Sequence, residues 1–147
     1  MAEPKTRPTE QPASEFIEAL PDERTRQECR TILKLMQEVS GTQPVMWGTS
    51  IVGFGKYPMP SNNGKSIEWP LIGFSPRKQA ITLYLGLGGL PQAEVMLEKL
   101  GKHTLGKGCL YIKRLSDVDL PTLSVLVKLS YENEVKTKLG LSTTPGL

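Results

Sequence analysis

LGKHTLGKGCLYIKRLSDVD, which spans residues 100–119, does the most to define the architecture of this chain. It places three glycines and four lysine or arginine residues around a short apolar run, and residues 109–113 of that run predict a strand. Residues 116–119 are suited to cap a following helix, and Pro91 is well placed to start a preceding helix that reaches Leu100. The segment therefore predicts a strand between two helices.

The residues on either side of this segment extend the pattern. Upstream, three runs rich in β-branched and aromatic residues predict strands at residues 49–54, 66–74 and 79–85. Asn63-Gly64 is a strong turn signal, so the first two runs are expected to form an antiparallel hairpin. Downstream, a helix over residues 120–136 should bury its apolar stripe, made of Leu123, Leu126, Val127 and Tyr131.

Helices are also predicted near the N-terminus. One should start near Ser14, and Pro21 either interrupts that helix or begins a new one. The helical pattern continues from there to Ser40, with Gly41 ending it. The resulting order, α-β-β-β-α-β-α with hairpin connections, predicts an α+β fold: a mainly antiparallel sheet of about four or more strands packed with N- and C-terminal helices. We expect a disordered lead-in at residues 1–13, a single domain at 14–137 and a disordered tail at 138–147.

The composition limits the classes of function. A chain of 147 residues with 38% hydrophobic and 22% charged residues is typical of one globular domain. No apolar run approaches the ~18 residues of a membrane span, and the N-terminus does not resemble a secretory signal. The two cysteines, Cys29 and Cys109, are far apart in the sequence, which favours a reducing cytosol over a disulfide framework.

Positive charge is concentrated in one part of the chain. The net charge is only +3, but residues 75–115 contain seven basic and two acidic side chains, a balance of +5. An anionic small molecule or an acidic protein surface would be attracted there, whereas a solvated surface is the alternative. Nucleic-acid binding is not predicted, because the net charge is modest and no recognised module is present.

Two glycine motifs fall short of nucleotide-binding signatures. Gly101-x-x-x-x-Gly106-Lys107 has Gly108 where a phosphate-binding loop needs Ser or Thr, and it enters a strand rather than a helix. Gly86-x-Gly88 has Pro91 at the third glycine position of a dinucleotide fingerprint. The backbone amides at the start of the helix at Pro91 could still bind a small anion. The alternative is that this segment is a simple turn from strand to helix.

The aromatic residues have two interpretations. They favour strands, so most are expected in the core of the sheet. Alternatively Trp47, Tyr57 and Tyr84 line a cleft whose edge carries Arg77 and Lys78, and such a cleft would suit a flat or apolar anion. Cys109 lies between Lys107 and Lys113, but His103 is the single histidine and no partner acid is evident for nucleophilic catalysis.

Several blocks of the sequence resemble the YdhG-like family, domain of unknown function 1801. They are Trp47-Gly48, Gly53-Phe54-Gly55-Lys56-Tyr57, Phe74-Ser75-Pro76-Arg77-Lys78, Leu83-Tyr84, Leu100-Gly101-Lys102 and, as the longest, GKGCLYIKRLSDVD at residues 106–119. The resemblance covers roughly residues 16–131 and implies a compact α+β domain without an established reaction. Some of the family carry a frataxin-like, iron-chaperone label, which implies iron handling by clustered carboxylates.

These observations lead to one main hypothesis and two alternatives. The main hypothesis is a small cytosolic binding module for an anionic small molecule or an acidic protein surface. Its candidate ligand-binding residues are Arg77, Lys78, Lys102, Lys107, Lys113, Trp47, Tyr57 and Tyr84. The alternatives are an iron chaperone acting through the acidic first helical region, Glu15 to Glu28, and a thiol-dependent enzyme using Cys109. No catalytic residue, metal ligand or cofactor is assigned, and the oligomeric state is open.

Overall fold

The structure, a computed structural model, describes residues 8–60, 66–87, 90–106 and 108–140. These residues form four α-helices and a single 3-10 turn: α1 at Ala13–Glu18, α2 at Glu23–Ser40, α3 at Pro91–Leu100, α4 at Leu120–Leu139 and the turn at Leu115–Asp117. They also form eight strands: β1 at Val45–Trp47, β2 at Ile51–Phe54, β3 at Tyr57–Pro60, β4 at Ser66–Trp69, β5 at Ile72–Pro76, β6 at Ile81–Tyr84, β7 at Thr104–Gly106 and β8 at Cys109–Ile112.

The helix ends follow the expected chemistry. Asp22 caps α2, since its carboxylate accepts from the Thr25 amide at 3.0 Å, and Gly41 ends that helix with a φ of 67°. Asp119 caps α4 in the same way, accepting from the Thr122 amide at 3.0 Å. The predicted end points of α3, Pro91 and Leu100, are confirmed, and α4 extends three residues beyond the predicted end.

The predicted fold class is confirmed. Six strands form one antiparallel sheet in the order β1-β2-β5-β6-β8-β7, and β3 pairs with β4 in a second ladder. The predicted hairpin is confirmed twice, because β2 pairs with β5 and β3 pairs with β4 inside it. The Asn63-Gly64 turn itself lies outside the described residues. Helix α3 then connects β6 to β8, by way of the edge strand β7.

Three strands and one break differ from the prediction. The run at residues 66–74 divides into β4 and β5 at Pro70-Leu71, because proline has no amide hydrogen for the ladder. Strands β1, β3 and β7 were not predicted. Each has only three or four residues, β3 contains two prolines, and β7 is exposed throughout. Short segments of this kind lack the hydrophobic alternation that identifies a strand.

The chain ends also differ from the prediction. Pro8 bridges to Trp47 and the Thr9 amide donates to the Met46 carbonyl at 2.8 Å, so residues 8–9 lie beside β1 rather than in a disordered lead-in. At the other end α4 includes Lys138 and Leu139, which were expected in the tail. Residues 1–7 and 141–147 lie outside the described ranges. None of the helices in the described part of the chain has the length and apolar character that a bilayer crossing requires.

The sheet has two different faces. Phe74, Leu83 and Leu110 are paired across three strands, and all three are completely buried on the inner face. Helices α2 and α4 pack on this face, and their apolar stripes complete the hydrophobic core. Strand alternation sends the intervening side chains to the other side, which we call the outer face. On β6 and β8 the outer face carries Thr82, Tyr84, Cys109 and Tyr111.

Candidate functional site

The outer face of the sheet forms a cavity of about 520 Å³ over β6, β8 and β7. The register of these strands brings the side chains of the cavity floor together, since Tyr84 pairs with Cys109 and Tyr111 lies between Thr82 and Thr104. Turns and loops at the strand ends supply the rim. We call this the basic cavity, and the described residues that line it are Arg77, Gln79, Ala80, Thr82, Tyr84, Lys102, His103, Thr104, Cys109, Tyr111 and Lys113.

Three cations surround the basic cavity. Arg77 follows the end of β5, Lys102 follows α3 and Lys113 follows β8, so three different elements direct positive charge to one place. Among the described residues, no aspartate or glutamate lines the cavity and none of the three cations makes an ion pair. A hydrogen bond with Tyr84 raises the pKa of the Arg77 guanidinium and holds it beside the tyrosine.

Thr82 provides a polar group on the cavity floor. The residue is 5% exposed, and its hydroxyl makes no hydrogen bond within the part of the chain that the structure describes. Its outer-face neighbour on β5, Ser75, is buried but donates to the Ser50 hydroxyl at 3.4 Å. Trp47 Nε1 is the buried side-chain polar atom without a partner among the described residues, so the Thr82 hydroxyl is reached by solvent in the basic cavity and can donate to a ligand there.

Tyr111 forms one wall of the basic cavity by lying over Gly106. A Cβ at Gly106 would be 2.7 Å from the Tyr111 ring, so only glycine leaves room for the ring in this position. The Tyr111 hydroxyl makes a hydrogen bond with the Cys109 thiol, which raises the pKa of Tyr111. Gly106 thus makes room for the ring of Tyr111.

His103 and Cys109 line the same cavity but lie far apart. Thr104 pairs with Tyr111, which places His103 beside Ile112, three residues along the strand from Cys109 and about 10 Å away. His103 Nδ1 is 2.7 Å from the Gly101 carbonyl, and since a carbonyl only accepts, Nδ1 donates. Nε2 therefore carries the lone pair of the neutral ring, out of reach of the Cys109 thiol.

A second cavity of about 340 Å³ adjoins the first and shares Tyr84 and Cys109 with it. Tyr57, Trp69 and the C-terminal part of α4 form its far side, and we call it the distal cavity. Burial raises the pKa of Glu134 in this cavity, although nearby Lys138 lowers it. The Lys138 ammonium lies over the Tyr57 ring at 5.4 Å from the centroid, and burial raises the pKa of Tyr57.

The structure brings together four of the eight residues proposed from the sequence. Arg77, Lys102, Lys113 and Tyr84 line the basic cavity. Tyr57 lines the distal cavity, which it shares with Tyr84. Lys78 is exposed in the turn between β5 and β6 and lines neither cavity. Lys107 lies outside the described residues, as do Gly88 and Gly89 before the expected anion position at Pro91.

Trp47 is not a wall of either cavity. It is on the outer face but only 1% exposed, and a Cβ at Gly53 would be 2.6 Å from its ring. Two strands separate β1 from β6, so Trp47 is about 14 Å from Tyr84 along the sheet. The indole packs over Gly53 and against Pro70, which explains why the sequence has glycine there. The structure therefore does not bring Trp47 together with Tyr57 and Tyr84.

Sequence reasoning missed several residues of the basic cavity. Thr82 and Tyr111 were not proposed as ligand-binding residues, nor were Gln79 and Thr104. Alternation along β6 and β8 places Thr82 and Tyr111 on the face opposite the core, and that signal is present in the sequence. Their meeting in one cavity depends on the pairing of β6 with β8 across the α3 crossover, which alternation does not provide.

Three of the five acidic residues of the first helical region, Glu18, Asp22 and Glu28, already have partners. Glu18 accepts two hydrogen bonds from Arg30, at 2.8 and 2.6 Å, and Asp22 caps α2. Glu28 accepts from the Leu115 amide at 2.7 Å and links α2 to the 3-10 turn. Among the described residues, no group of three or more metal-binding side chains is arranged to hold an ion. These carboxylates stabilise the fold.

Known proteins give no further indication of function. Comparisons with family models, with curated proteins and with solved structures found no match to this chain.

Proposed function

We propose that this chain is a YdhG-like binding module that holds a small molecule with a carboxylate or phosphate group in the basic cavity. The observation that carries the proposal is the meeting of Arg77, Lys102 and Lys113 around a cavity whose lining has no carboxylate. Cys29 and Cys109 are both free thiols, which supports a reducing compartment such as the cytosol.

Electrostatics favour an anion at this position. Three like charges around one concave surface repel each other, and each lacks an ion-pair partner in the described residues. An anion placed among them relieves that repulsion and makes charge-assisted hydrogen bonds. The Thr82 hydroxyl supplies an additional donor from the floor, and Tyr84 offers an aromatic surface to the rest of the molecule.

The shape of the site favours a small molecule over an acidic protein surface. A cavity of about 520 Å³ is within the range of small-molecule sites, roughly 300–1,000 Å³. Three lining residues, Cys109, Tyr111 and Lys113, come from the longest block of the YdhG-like resemblance. Binding needs no nucleophile, and the separation of His103 from Cys109 leaves the thiol without a neighbouring base.

The test compares two adjacent cations in one turn. Arg77→Glu places a negative charge in the basic cavity, whereas Lys78→Glu makes the same change of charge outside it. Isothermal titration calorimetry with benzoate, inorganic phosphate and citrate would measure the affinities at two salt concentrations. We expect Arg77→Glu to weaken binding at least about tenfold, Lys78→Glu to weaken it less than about threefold, and salt to weaken binding to the unsubstituted chain. Equal effects of the two substitutions would mean that only net charge attracts the anion.

A further inference from the structure

The distal cavity places an acid next to the basic site. It shares Tyr84 and Cys109 with the basic cavity, so the two cavities meet along these side chains on the outer face. Trp69, Pro70, Leu71 and Leu85 give much of the distal cavity an apolar lining. Glu134 is its carboxylate, contributed by α4. A molecule lying across Tyr84 would therefore encounter cations at one end and an acid at the other.

Glu134 is available for a ligand. Its side chain is partly buried, yet it makes no ion pair or hydrogen bond within the described residues. Burial raises the pKa of Glu134, and the charge of Lys138, which lies one turn later on α4 and over the Tyr57 ring, lowers it only in part. A partly buried carboxylate that no ion pair or hydrogen bond compensates is unfavourable. A cationic group in the distal cavity would offset this cost.

The position of Glu134 is fixed by contacts between α4 and the end of β6. The Gly86 amide donates to the Ser130 hydroxyl at 2.8 Å, and the Asn133 side-chain amide donates to the Gly86 carbonyl at 3.5 Å. A Cβ at Gly86 would collide with Glu134 Oε1, so glycine makes room for the carboxylate. Gly86 is two residues beyond Tyr84, about 7 Å along the chain. A molecule that contacts both the cations and Glu134 must therefore extend past the Tyr84 ring.

We propose that the ligand is zwitterionic, with its anionic group in the basic cavity, a flat or apolar body against Tyr84, and an ammonium or amidinium group at Glu134. This inference rests on the proposed anion-binding function and adds the class of molecule that the site selects. A simple carboxylate or phosphate would fill the basic cavity alone and leave Glu134 without a partner.

Matched pairs of compounds test the proposal. Each pair shares its carboxylate and ring but differs in one group: 4-methylbenzoate against 4-(aminomethyl)benzoate, and 4-methylcinnamate against 4-(aminomethyl)cinnamate. We expect at least one ammonium compound to bind about fivefold or more tightly than its methyl partner, because it gains a charge-assisted hydrogen bond. Glu134→Gln should abolish that preference without changing the affinity of the methyl compound. Glu132→Gln, on the same helix but outside both cavities, should preserve the preference.

The outcomes separate the two proposals. If the methyl compounds bind and the ammonium compounds bind no better, the zwitterionic class is wrong while the anion site remains. The class is also wrong if Glu134→Gln leaves the preference intact. If none of the four compounds, benzoate or phosphate binds, the anion site itself is wrong. Thermal unfolding of Glu134→Gln and Glu132→Gln identifies any loss of affinity that is due to misfolding.

Discussion

Replacing Thr82 with valine should weaken ligand binding and leave the stability of the chain nearly unchanged. Thr82 is 5% exposed on the floor of the basic cavity, and its hydroxyl makes no hydrogen bond among the described residues. Valine has nearly the same shape and the same β-branch, so it fits the strand and leaves the packing intact. The substitution therefore removes only the donor.

The expected magnitudes follow from the exposure of the Thr82 hydroxyl to the cavity. Trp47 Nε1 is the buried side-chain polar atom without a partner among the described residues, so the Thr82 hydroxyl is hydrated in the free protein. We expect Thr82→Val to change the free energy of unfolding by less than about 0.5 kcal/mol. Loss of a hydrogen bond to an anion should weaken the binding of 4-methylbenzoate by roughly tenfold.

Urea unfolding and calorimetry on the same protein preparations would measure both effects. Thr104→Val is the matched control for stability, because Thr104 lies on the next strand but one and is exposed. Its hydroxyl is hydrated in the free protein, so the free energy of unfolding should change by less than about 0.5 kcal/mol. The reasoning is refuted if Thr82→Val changes the free energy of unfolding by more than about 1 kcal/mol, or if it leaves the affinity unchanged.

Three further substitutions test the packing and the charges. Gly53→Ala should lower the free energy of unfolding by about 1–3 kcal/mol, because its Cβ would lie 2.6 Å from the buried Trp47 ring; an unchanged urea midpoint would contradict the proposed packing. Asp119→Ala should lower the melting temperature because it removes the cap of α4. The hydrogen bond from Thr122 lowers the pKa of Asp119, so the stabilisation by this carboxylate is present at neutral pH and is lost as the pH falls through the lowered pKa. The difference in melting temperature between Asp119→Ala and the unsubstituted chain should therefore be present at neutral pH and disappear at low pH. For Glu134 the pH dependence of stability is opposite. Its pKa is raised in the folded protein, so the free energy of unfolding falls as the pH rises from about 4.5 through the pKa of the folded state. Glu134→Gln should remove that loss in a series of thermal melts, and an unaltered pH profile would show that the carboxylate is well solvated.

The sequence was a better guide to the fold than to the site. Local signals at Asp119, Pro91 and Gly41 mark helix ends correctly because capping depends on neighbouring residues only. Strands β1, β3 and β7 are held by their partners rather than by their own pattern, so the sequence did not identify them.

The site shows the same limit. Charge clustering identified Arg77, Lys102 and Lys113, but it equally suggested Lys78, which the turn leaves outside the cavity. Glu134 was not proposed from the sequence, because its place beside Gly86 depends on a contact between residues about fifty positions apart.

An amide-resolved NMR titration tests the central claim most directly. Benzoate, inorganic phosphate and ferrous ion would be added separately to the isotopically labelled protein. The account predicts that the two anions shift amides at Arg77, at residues 102–104 and at Cys109–Ile112, with little change in α1 and α2. An anion site in the basic cavity is contradicted if the two anions leave those amides unmoved. It is also contradicted if ferrous ion broadens only the region from Glu15 to Glu28, and that result would favour iron binding.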